Sequence, residues 1–246
     1  MKLCVVQTKP VVGDVQANIE NHKKLIARAA SCGSEAVFFP ELSLTGYEPK
    51  LAKDLASDQG DARFDDFQEM SDSHRITIGV GMPIKSRAGI LIGLIIFQPD
   101  VPRQTYCKQY LHSDELPYFV CGHRQVLLNL NGSKIAPAIC YESLLPVHSE
   151  AAARSGANIY VASVAKSARG IQKAEKHFAE TARRHSLPIL MSNCVGPCDD
   201  FLGVGTTSVW GKDGTLLGQL DETGEGLLIF DTDTQTLMEV DGERKC

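Results

Sequence analysis

The chain has 246 residues, of which 43% are hydrophobic and 22% charged, a composition typical of a globular protein and not of a disordered one. Its formal net charge of −5 and isoelectric point near 5.8 argue against nucleic acid or an anionic membrane as the main partner. No window approaches the roughly 18 apolar residues that a transmembrane helix needs, and the short apolar start KLCVVQT does not resemble a signal peptide. The cysteines are scattered without the spacing of a disulfide scaffold, so we expect a cytoplasmic protein.

The first half of the chain alternates strand-like and helix-like segments. KLCVVQT and EAVFFP are apolar runs typical of strands, and QANIENHKKLIARAASCG between them has helical periodicity and stops at Gly33. Residues 61–75 carry Phe64, Phe67 and Met70 at helical spacing, and ITIGVGMPI follows as a strand. GILIGLIIFQP and PRQTYCKQYL predict two adjacent strands joined by a turn.

The second half adds hairpins to this alternation. QVLLNLNGSKIAPAIC predicts two strands joined at Asn131-Gly132, and TSVWGKDGTLLGQL predicts a hairpin that turns at Asp213-Gly214. Between them we expect a helix in SLLPVHSEAAARSGA, a strand in NIYVASV, a long amphipathic helix in IQKAEKHFAETARRHS and a strand in PILMSNCVG. The segment GEGLLIFDTDT is predicted to be the last strand.

These hairpins bear directly on the fold class. A purely parallel, doubly wound sheet would not contain them, so the pattern favours a mixed sheet, or two sheets packed face to face with helices outside. No repeat or low-complexity linker divides the chain. We therefore expect one domain over residues 1–246, with a tail of about ten residues at its end.

Polar residues stand at the ends of several predicted strands. Glu41 follows EAVFFP, Lys108 interrupts a strand-like run, and Cys140 ends an apolar strand just before a predicted helix. Taken singly, each has an ordinary explanation as a turn acid, a solvated lysine or a small apolar side chain. Because strand ends of layered α/β proteins converge on one rim, we expect all three to meet in one site.

Such a trio suits nucleophilic catalysis. A thiol at a strand-to-helix turn is expected to have a lowered pKa, because it lies near the positive end of a helix dipole. The Glu41 carboxylate can act as general base, while the Lys108 ammonium and the backbone N–H of Tyr141 stabilise an oxyanion. The set predicts acyl transfer from an amide or nitrile carbon through a thioester.

The motifs around these residues resemble those of the nitrilase superfamily of carbon–nitrogen hydrolases. FFPELSLTGY is similar to its glutamate motif, YCKQYLHSDE to its lysine motif and PAICYES to its cysteine motif, and similarity extends from about residue 2 to 233. The resemblance implies an α/β fold, a four-layer αββα sandwich of two mixed β-sheets with helices on the outer faces. It also implies a catalytic triad of Glu41, Lys108 and Cys140, no cofactor, and a homodimer formed through the helices that follow the cysteine.

The resemblance also implies a second acid shortly after the lysine. Glu115 matches that position best, although the adjacent Asp114 is an alternative. Many members that act on carboxylated or carbamoylated substrates carry an arginine two or three residues past the nucleophile, but this chain has Glu142, Ser143 and Leu144 there. Ala165, Lys166 and Arg169 follow the next strand, and together with Tyr47 and Tyr141 they are candidate substrate-binding residues.

The leading hypothesis is an amidase that releases ammonia from a small-molecule amide. The runner-up within the family is an N-carbamoyl amine hydrolase, as for a carbamoyl polyamine, and a nitrilase is the next alternative. A glutaminase that feeds ammonia to a synthetase partner and a non-catalytic binding protein are further possibilities. Cys107, His112, Cys121 and His123 lack the spacing of a zinc site, so no metal is expected.

Overall fold

The computed structural model describes residues 1–241, which form two β-sheets packed face to face between outer layers of helices. The helices are α1 (Val15–Ser31), α2 (Ala52–Leu55), α3 (Asp65–His74), α4 (Pro146–Arg154) and α5 (Ala168–His185). The strands are β1 (Lys2–Gln7), β2 (Ala36–Phe38), β3 (Thr77–Lys85), β4 (Ile90–Gln98), β5 (Val101–Cys107), β6 (Leu128–Leu130), β7 (Ser133–Ile139), β8 (Ile159–Ser163), β9 (Ile189–Ser192), β10 (Val195–Cys198), β11 (Phe201–Val204), β12 (Ser208–Trp210), β13 (Leu216–Gln219), β14 (Gly226–Asp231) and β15 (Thr236–Asp241).

The first sheet has seven strands in the order β15-β14-β1-β2-β3-β4-β5. Strands β1, β2 and β3 run parallel, and the remaining neighbours pair antiparallel, so the sheet is mixed. Helices α1 and α3 cover its outer face, where Ile19, Ile26 and Phe67 pack against Val37 and Ile78. Burial of these apolar side chains holds the helix layer to the sheet.

The second sheet has six strands in the order β13-β12-β9-β8-β7-β6. Strands β7, β8 and β9 run parallel, whereas β6, β12 and β13 pair antiparallel. Helix α5 packs Ile171 and Phe178 against this sheet, where Trp210 contacts Phe178 with ring centroids 5.2 Å apart. The predicted Asn131-Gly132 turn joins β6 to β7, and both residues have the positive φ that such a turn requires.

The main core lies between the two sheets. Leu3, Phe38 and Leu94 from the first sheet meet Val161 and Leu190 from the second, and all of them are buried. The four layers are therefore helices, sheet, sheet and helices, and the predicted αββα sandwich is confirmed.

Two local expectations need correction. Thr236–Asp241 pair with β14 as an edge strand, so this part of the expected tail belongs to the sheet. Residues 242–246 lie outside the described residues. In addition, PILMSNCVG does not form one strand, because β9 ends at Ser192 and β10 pairs only with β11 in a separate hairpin.

Strand direction brings the site residues to one end of the sandwich. Because β5 is antiparallel to β4, and β4 to β3, the carboxyl end of β5 lies at the same edge as that of β2. The carboxyl ends of the parallel strands β7 and β8 lie side by side in the other sheet. Within residues 1–241, no helix is both long and apolar enough to cross a membrane.

Candidate active site

Glu41 lies in a tight turn after β2 and is only 2% exposed. The turn packs directly on β3 at Gly81, where an added Cβ would lie 2.4 Å from Leu42 N and 2.5 Å from Pro40 O. Ser43 fastens the turn, because its Oγ accepts a hydrogen bond from Gly81 N at 3.2 Å. The close approach of strand and turn fixes the carboxylate inside the core.

Lys108 directly follows β5, and its side chain is completely buried. Its Nζ donates to Glu41 Oε1 at 2.8 Å and to Glu115 Oε1 at 2.6 Å. Burial opposes the ammonium charge, but the two carboxylates outweigh it and raise the pKa of Lys108 above its ordinary value. The lysine therefore stays protonated although it is shut off from water.

Glu115, and not Asp114, lies beside the lysine. Glu115 is 1% exposed and accepts hydrogen bonds from Tyr47 Oη at 3.0 Å and from His112 N at 2.8 Å. The Asp114 side chain is 66% exposed and pairs with His112 Nδ1 at 2.5 Å. Between the two acids that the sequence left open, only Glu115 contacts the buried ammonium.

Cys140 follows β7 at the first position of a 3-10 turn, Cys140–Leu144, and has a positive φ of 45°. Its Sγ lies 3.6 Å from Ala165 O and 3.8 Å from Lys166 Nζ. Burial raises the pKa of the Cys140 thiol to about 11, and the charge of Glu41 acts in the same direction. The expected lowering of this pKa is therefore wrong, because burial and the Glu41 charge outweigh the charges of Lys166 and Lys108, which act in the opposite direction.

The Glu41 carboxylate complements this neutral thiol. Burial raises the pKa of Glu41 to about 7, although the neighbouring Lys108 charge opposes the rise. Glu41 Oε2 is buried without a hydrogen-bond partner, while Oε1 is held by the lysine. The Cys140 thiol lies near enough to favour the ionised form of this carboxylate. Glu41 thus has the free oxygen and the proton affinity that a general base requires near neutral pH.

Glu142 connects the cysteine turn to the lysine segment, a role that the sequence analysis missed. Its Oε1 accepts hydrogen bonds from Tyr106 Oη at 2.6 Å and Ile139 N at 2.8 Å. Its Oε2 accepts from Gln109 N at 2.6 Å and Tyr110 N at 3.2 Å. The available signal was an acid three residues past the strand end, as in a capping box, but Ile139 replaces the usual serine or threonine.

A cavity of about 230 Å³ opens beside the cysteine. It is lined by the predicted substrate-binding residues Tyr47, Tyr141, Ala165 and Lys166, together with Phe201, Leu144 and other side chains. Arg169 does not line this cavity; it lies in a separate depression on the outer side of α5, with Lys176 and Glu180. Within residues 1–241, no group of three His, Cys, Asp or Glu side chains is placed to hold a metal ion.

Comparison with protein families gives a match over nearly the whole chain. The model of the family described as carbon–nitrogen hydrolase matches residues 2–241.

Individual relatives are more distant. The chain is 26% identical to a glutamine-dependent NAD(+) synthetase from Aquifex aeolicus over 95% of this chain, but it spans only 42% of that synthetase. It is 27% identical to nitrilase 3 of Arabidopsis thaliana, over 67% of this chain and 54% of the nitrilase. A mutant of the amidase from Nesterenkonia sp. AN1, solved in complex with butyramide, superposes with a TM-score of 0.87. That superposition covers 96% of this chain and 92% of the amidase at 22% identity, so it establishes the shared fold.

Proposed function

Because the chain belongs to the carbon–nitrogen hydrolase family, as its resemblance to the nitrilase superfamily predicted, we propose that it hydrolyses a small amide to a carboxylic acid and ammonia. One observation supports this proposal above all others. A buried lysine is held between two buried carboxylates, at 2.8 and 2.6 Å, at the end of the sandwich where a cysteine borders a cavity.

The first half of the reaction forms a thioester at Cys140. Glu41 Oε2 takes the thiol proton while Sγ attacks the amide carbon, and the carbonyl electron pair moves onto oxygen. The Lys108 ammonium and the Tyr141 N–H stabilise this oxyanion, and removal of one such donor typically costs about 3–4 kcal/mol. The intermediate then collapses, and Glu41 returns its proton to the leaving ammonia.

The second half hydrolyses the thioester. Glu41 takes a proton from water as the water oxygen attacks the acyl carbon, and the same donors stabilise the second oxyanion. Collapse releases the carboxylic acid, and the proton held by Glu41 returns to the sulfur. Glu115 takes no proton in this scheme; like Glu41, it accepts a hydrogen bond from the Lys108 ammonium and so holds it in place.

The volume of the cavity limits the size of the acyl group that it can hold. Drug-sized ligands usually occupy cavities of roughly 300–1,000 Å³, whereas this one holds about 230 Å³. We therefore propose a short aliphatic amide as the preferred substrate. An N-carbamoyl amine is the alternative within the same chemistry.

Glutamine hydrolysis is a second candidate, and the relatives favour it. The Aquifex relative is named as a glutamine-dependent synthetase, and the region that matches this chain is 42% of its length. In that case the ammonia would pass to a synthetase partner.

Ammonia release from a panel of amides tests these candidates. The panel contains acetamide, propionamide, butyramide, glutamine and an N-carbamoyl amine. We expect the wild type to hydrolyse at least one short amide, and Cys140→Ala to abolish turnover with a nearly unchanged thermal midpoint. Unaltered hydrolysis by the Cys140→Ala variant would refute the proposal, whereas selective turnover of glutamine would establish the second candidate.

We also propose that the protein is a homodimer that pairs through α4 and α5. Val147 on α4 supports this, because it is a large apolar side chain that is 47% exposed on the monomer. Sedimentation velocity should show a dimer for the wild type and a shift towards monomer for Val147→Asp. A monomeric wild type would contradict the proposal.

A cytoplasmic location is proposed on chemical grounds. The mechanism needs a reduced Cys140, and six of the seven cysteines within residues 1–241 are free thiols, whereas Cys32 is disulfide-bonded. Cell fractionation checks this, and recovery of the protein from an oxidising compartment would contradict it.

A further inference from the structure

Lys166 occupies a fixed position between β8 and α5. Its backbone N donates to Asn193 Oδ1 at 2.9 Å, and its carbonyl oxygen accepts from Asn193 Nδ2 at 3.3 Å. Asn193 is fully buried and also donates to Gly205 O at 2.7 Å. The main chain at Lys166 is therefore clamped to the neighbouring loop, and the side chain starts from a rigid base.

The Lys166 ammonium lies in an electrostatically unfavourable place. The residue is only 5% exposed, and within residues 1–241 its Nζ makes no ion pair with a carboxylate. It directly precedes Ser167, the N-cap of α5, where the helix dipole disfavours a positive charge. The side chain also packs over the first turn of α5, because its Cβ and Cγ lie close to Gly170. A buried cation without a counter-ion is costly, and a negative charge that forms beside it relieves that cost.

The Lys166 Nζ lies 3.8 Å from the Cys140 sulfur, to which it can donate a hydrogen bond. The other charged or titratable groups that face this sulfur are Glu41, Glu115, Lys108, Tyr47 and Cys194. The two carboxylates favour the neutral thiol, and both are hydrogen bonded to Lys108. Two lysines, Lys108 and Lys166, thus act on the sulfur. Glu41 and Glu115 compensate the charge of Lys108 but not that of Lys166.

We propose that Lys166 is a catalytic residue, which stabilises the negative charge that develops on Cys140 Sγ when the thioester forms and again when it breaks. The inference rests on the proposed function, because it assigns Lys166 to the nucleophile of that reaction and not to a distant part of the substrate.

The chemistry requires no proton from Lys166. When Glu41 Oε2 removes the thiol proton, the electron pair of the S–H bond stays on sulfur, next to the ammonium. This pair then forms the S–C bond, and it returns to sulfur when the thioester is cleaved. Lys166 stabilises the negative charge on sulfur in both steps, thioester formation and thioester cleavage. The five-residue turn that begins at Cys140 is too short to provide a comparable helix dipole.

Alkylation of Cys140 by iodoacetamide at a series of pH values tests the proposal. The midpoint of the rate profile reports the apparent pKa of the thiol, and it needs no amide turnover, so the test stands even if no amide proves to be a substrate. We expect Lys166→Met to raise this midpoint by at least about one pH unit, equivalent to a tenfold loss of thiolate at pH below the midpoint. Lys166→Arg should keep the midpoint near that of the wild type, because the cation is retained.

Lys176→Met is the matched control. Lys176 is an exposed lysine of α5 that lies outside the cavity of Cys140, so this variant loses the same charge without touching the sulfur. We expect its midpoint to equal that of the wild type. The thermal midpoint of Lys166→Met should stay at or above the wild-type value, because an uncompensated buried charge is removed.

Either of two results would overturn the inference. In the first, Lys166→Met has the wild-type alkylation midpoint, even if it loses activity towards carboxylated amides; Lys166 would then be a substrate anchor. In the second, Lys176→Met shifts the midpoint as far as Lys166→Met, so that net charge and not contact with the sulfur is responsible. Should Lys166→Met not fold, Lys166→Gln measured in the same way decides between these outcomes.

Discussion

Glu41 combines a free oxygen, a buried position and a pKa raised to about 7 by burial. A carboxyl group acts as a base only when ionised, so its activity rises as the pH passes through its folded-state pKa. The Cys140 thiol does not determine this rise of activity with pH near neutrality, because burial raises the pKa of the thiol to about 11.

The pH dependence of amide hydrolysis follows from these values. We expect kcat/KM of the wild type to rise with pH and to level off above about 7. Glu41→Gln should lower kcat roughly 10²–10⁴-fold, the usual contribution of general acid–base catalysis, and should lose this rising limb. Initial rates between pH 5 and 9 check both points. A Glu41→Gln variant that keeps the wild-type limb would show that another group is the base.

For single residues, the sequence predicts which side chains belong to the site better than it predicts their burial and their pKa values. Glu41, Lys108 and Cys140 could be chosen because polar side chains follow apolar strands. The raised thiol pKa could not be predicted, because it depends on burial among groups far apart in the chain. Glu142 escaped notice for a similar reason, since its partners Tyr106, Gln109 and Tyr110 lie more than thirty residues away.

At the level of elements, close packing of strand β3 against the turn that carries Glu41 fixes the position of this carboxylate. Gly81 on β3 touches the turn that carries Glu41, where Pro40 O and Leu42 N leave no room for a Cβ. Any side chain at this position would push the turn, and the carboxylate with it, away from β3.

Gly81→Ala should therefore impair both stability and catalysis. Overpacking of a tight core typically costs about 1–3 kcal/mol of unfolding free energy. We expect kcat/KM to fall at least about tenfold at temperatures where the variant is folded, because small displacements of catalytic groups slow reactions strongly. Denaturant unfolding and amide hydrolysis measure the two effects.

Gly60→Ala serves as its control. Gly60 is exposed, and an added Cβ would meet only the Asp58 side chain, at 3.2 Å. Its unfolding free energy and rate should stay close to wild type. A Gly81→Ala variant as active as Gly60→Ala would show that the turn moves freely and that the strand does not position Glu41.

Whether a hairpin or strand could be predicted from the sequence depended on the residues in its turns and strands. The hairpin at Asn131-Gly132 was found because both turn residues tolerate positive φ, and the structure has φ of 47° and 82° there. The β10–β11 hairpin was missed, because β10 carries Gly196 and Pro197, which are poor strand formers. Strand β15 was missed because it lies beyond a polar turn and has exposed Met238 on the sheet edge.

On the scale of the whole molecule, the sandwich brings together segments that lie far apart in the chain. Glu41 and Lys108 come from the first sheet, whereas Cys140 and Lys166 come from the second, and they meet where the carboxyl ends of the strands face one another. The hairpins between βα units predicted either one mixed sheet or two sheets packed face to face, and the resemblance to the nitrilase superfamily implied the four-layer sandwich of two mixed sheets. The sequence could not predict the cavity volume, which depends on side chains from several loops, among them Phe201 on the missed hairpin.

We propose that these segments act together to carry an acyl group on the Cys140 sulfur during turnover. Acid quenching during turnover of the best short amide, followed by mass spectrometry of the digested protein, detects such an acyl group. We predict that the peptide containing Cys140 gains the mass of one acyl group and loses it after hydroxylamine treatment. Steady hydrolysis of the amide without an acyl group on Cys140, or with one on another residue, would show that Cys140 is not the nucleophile.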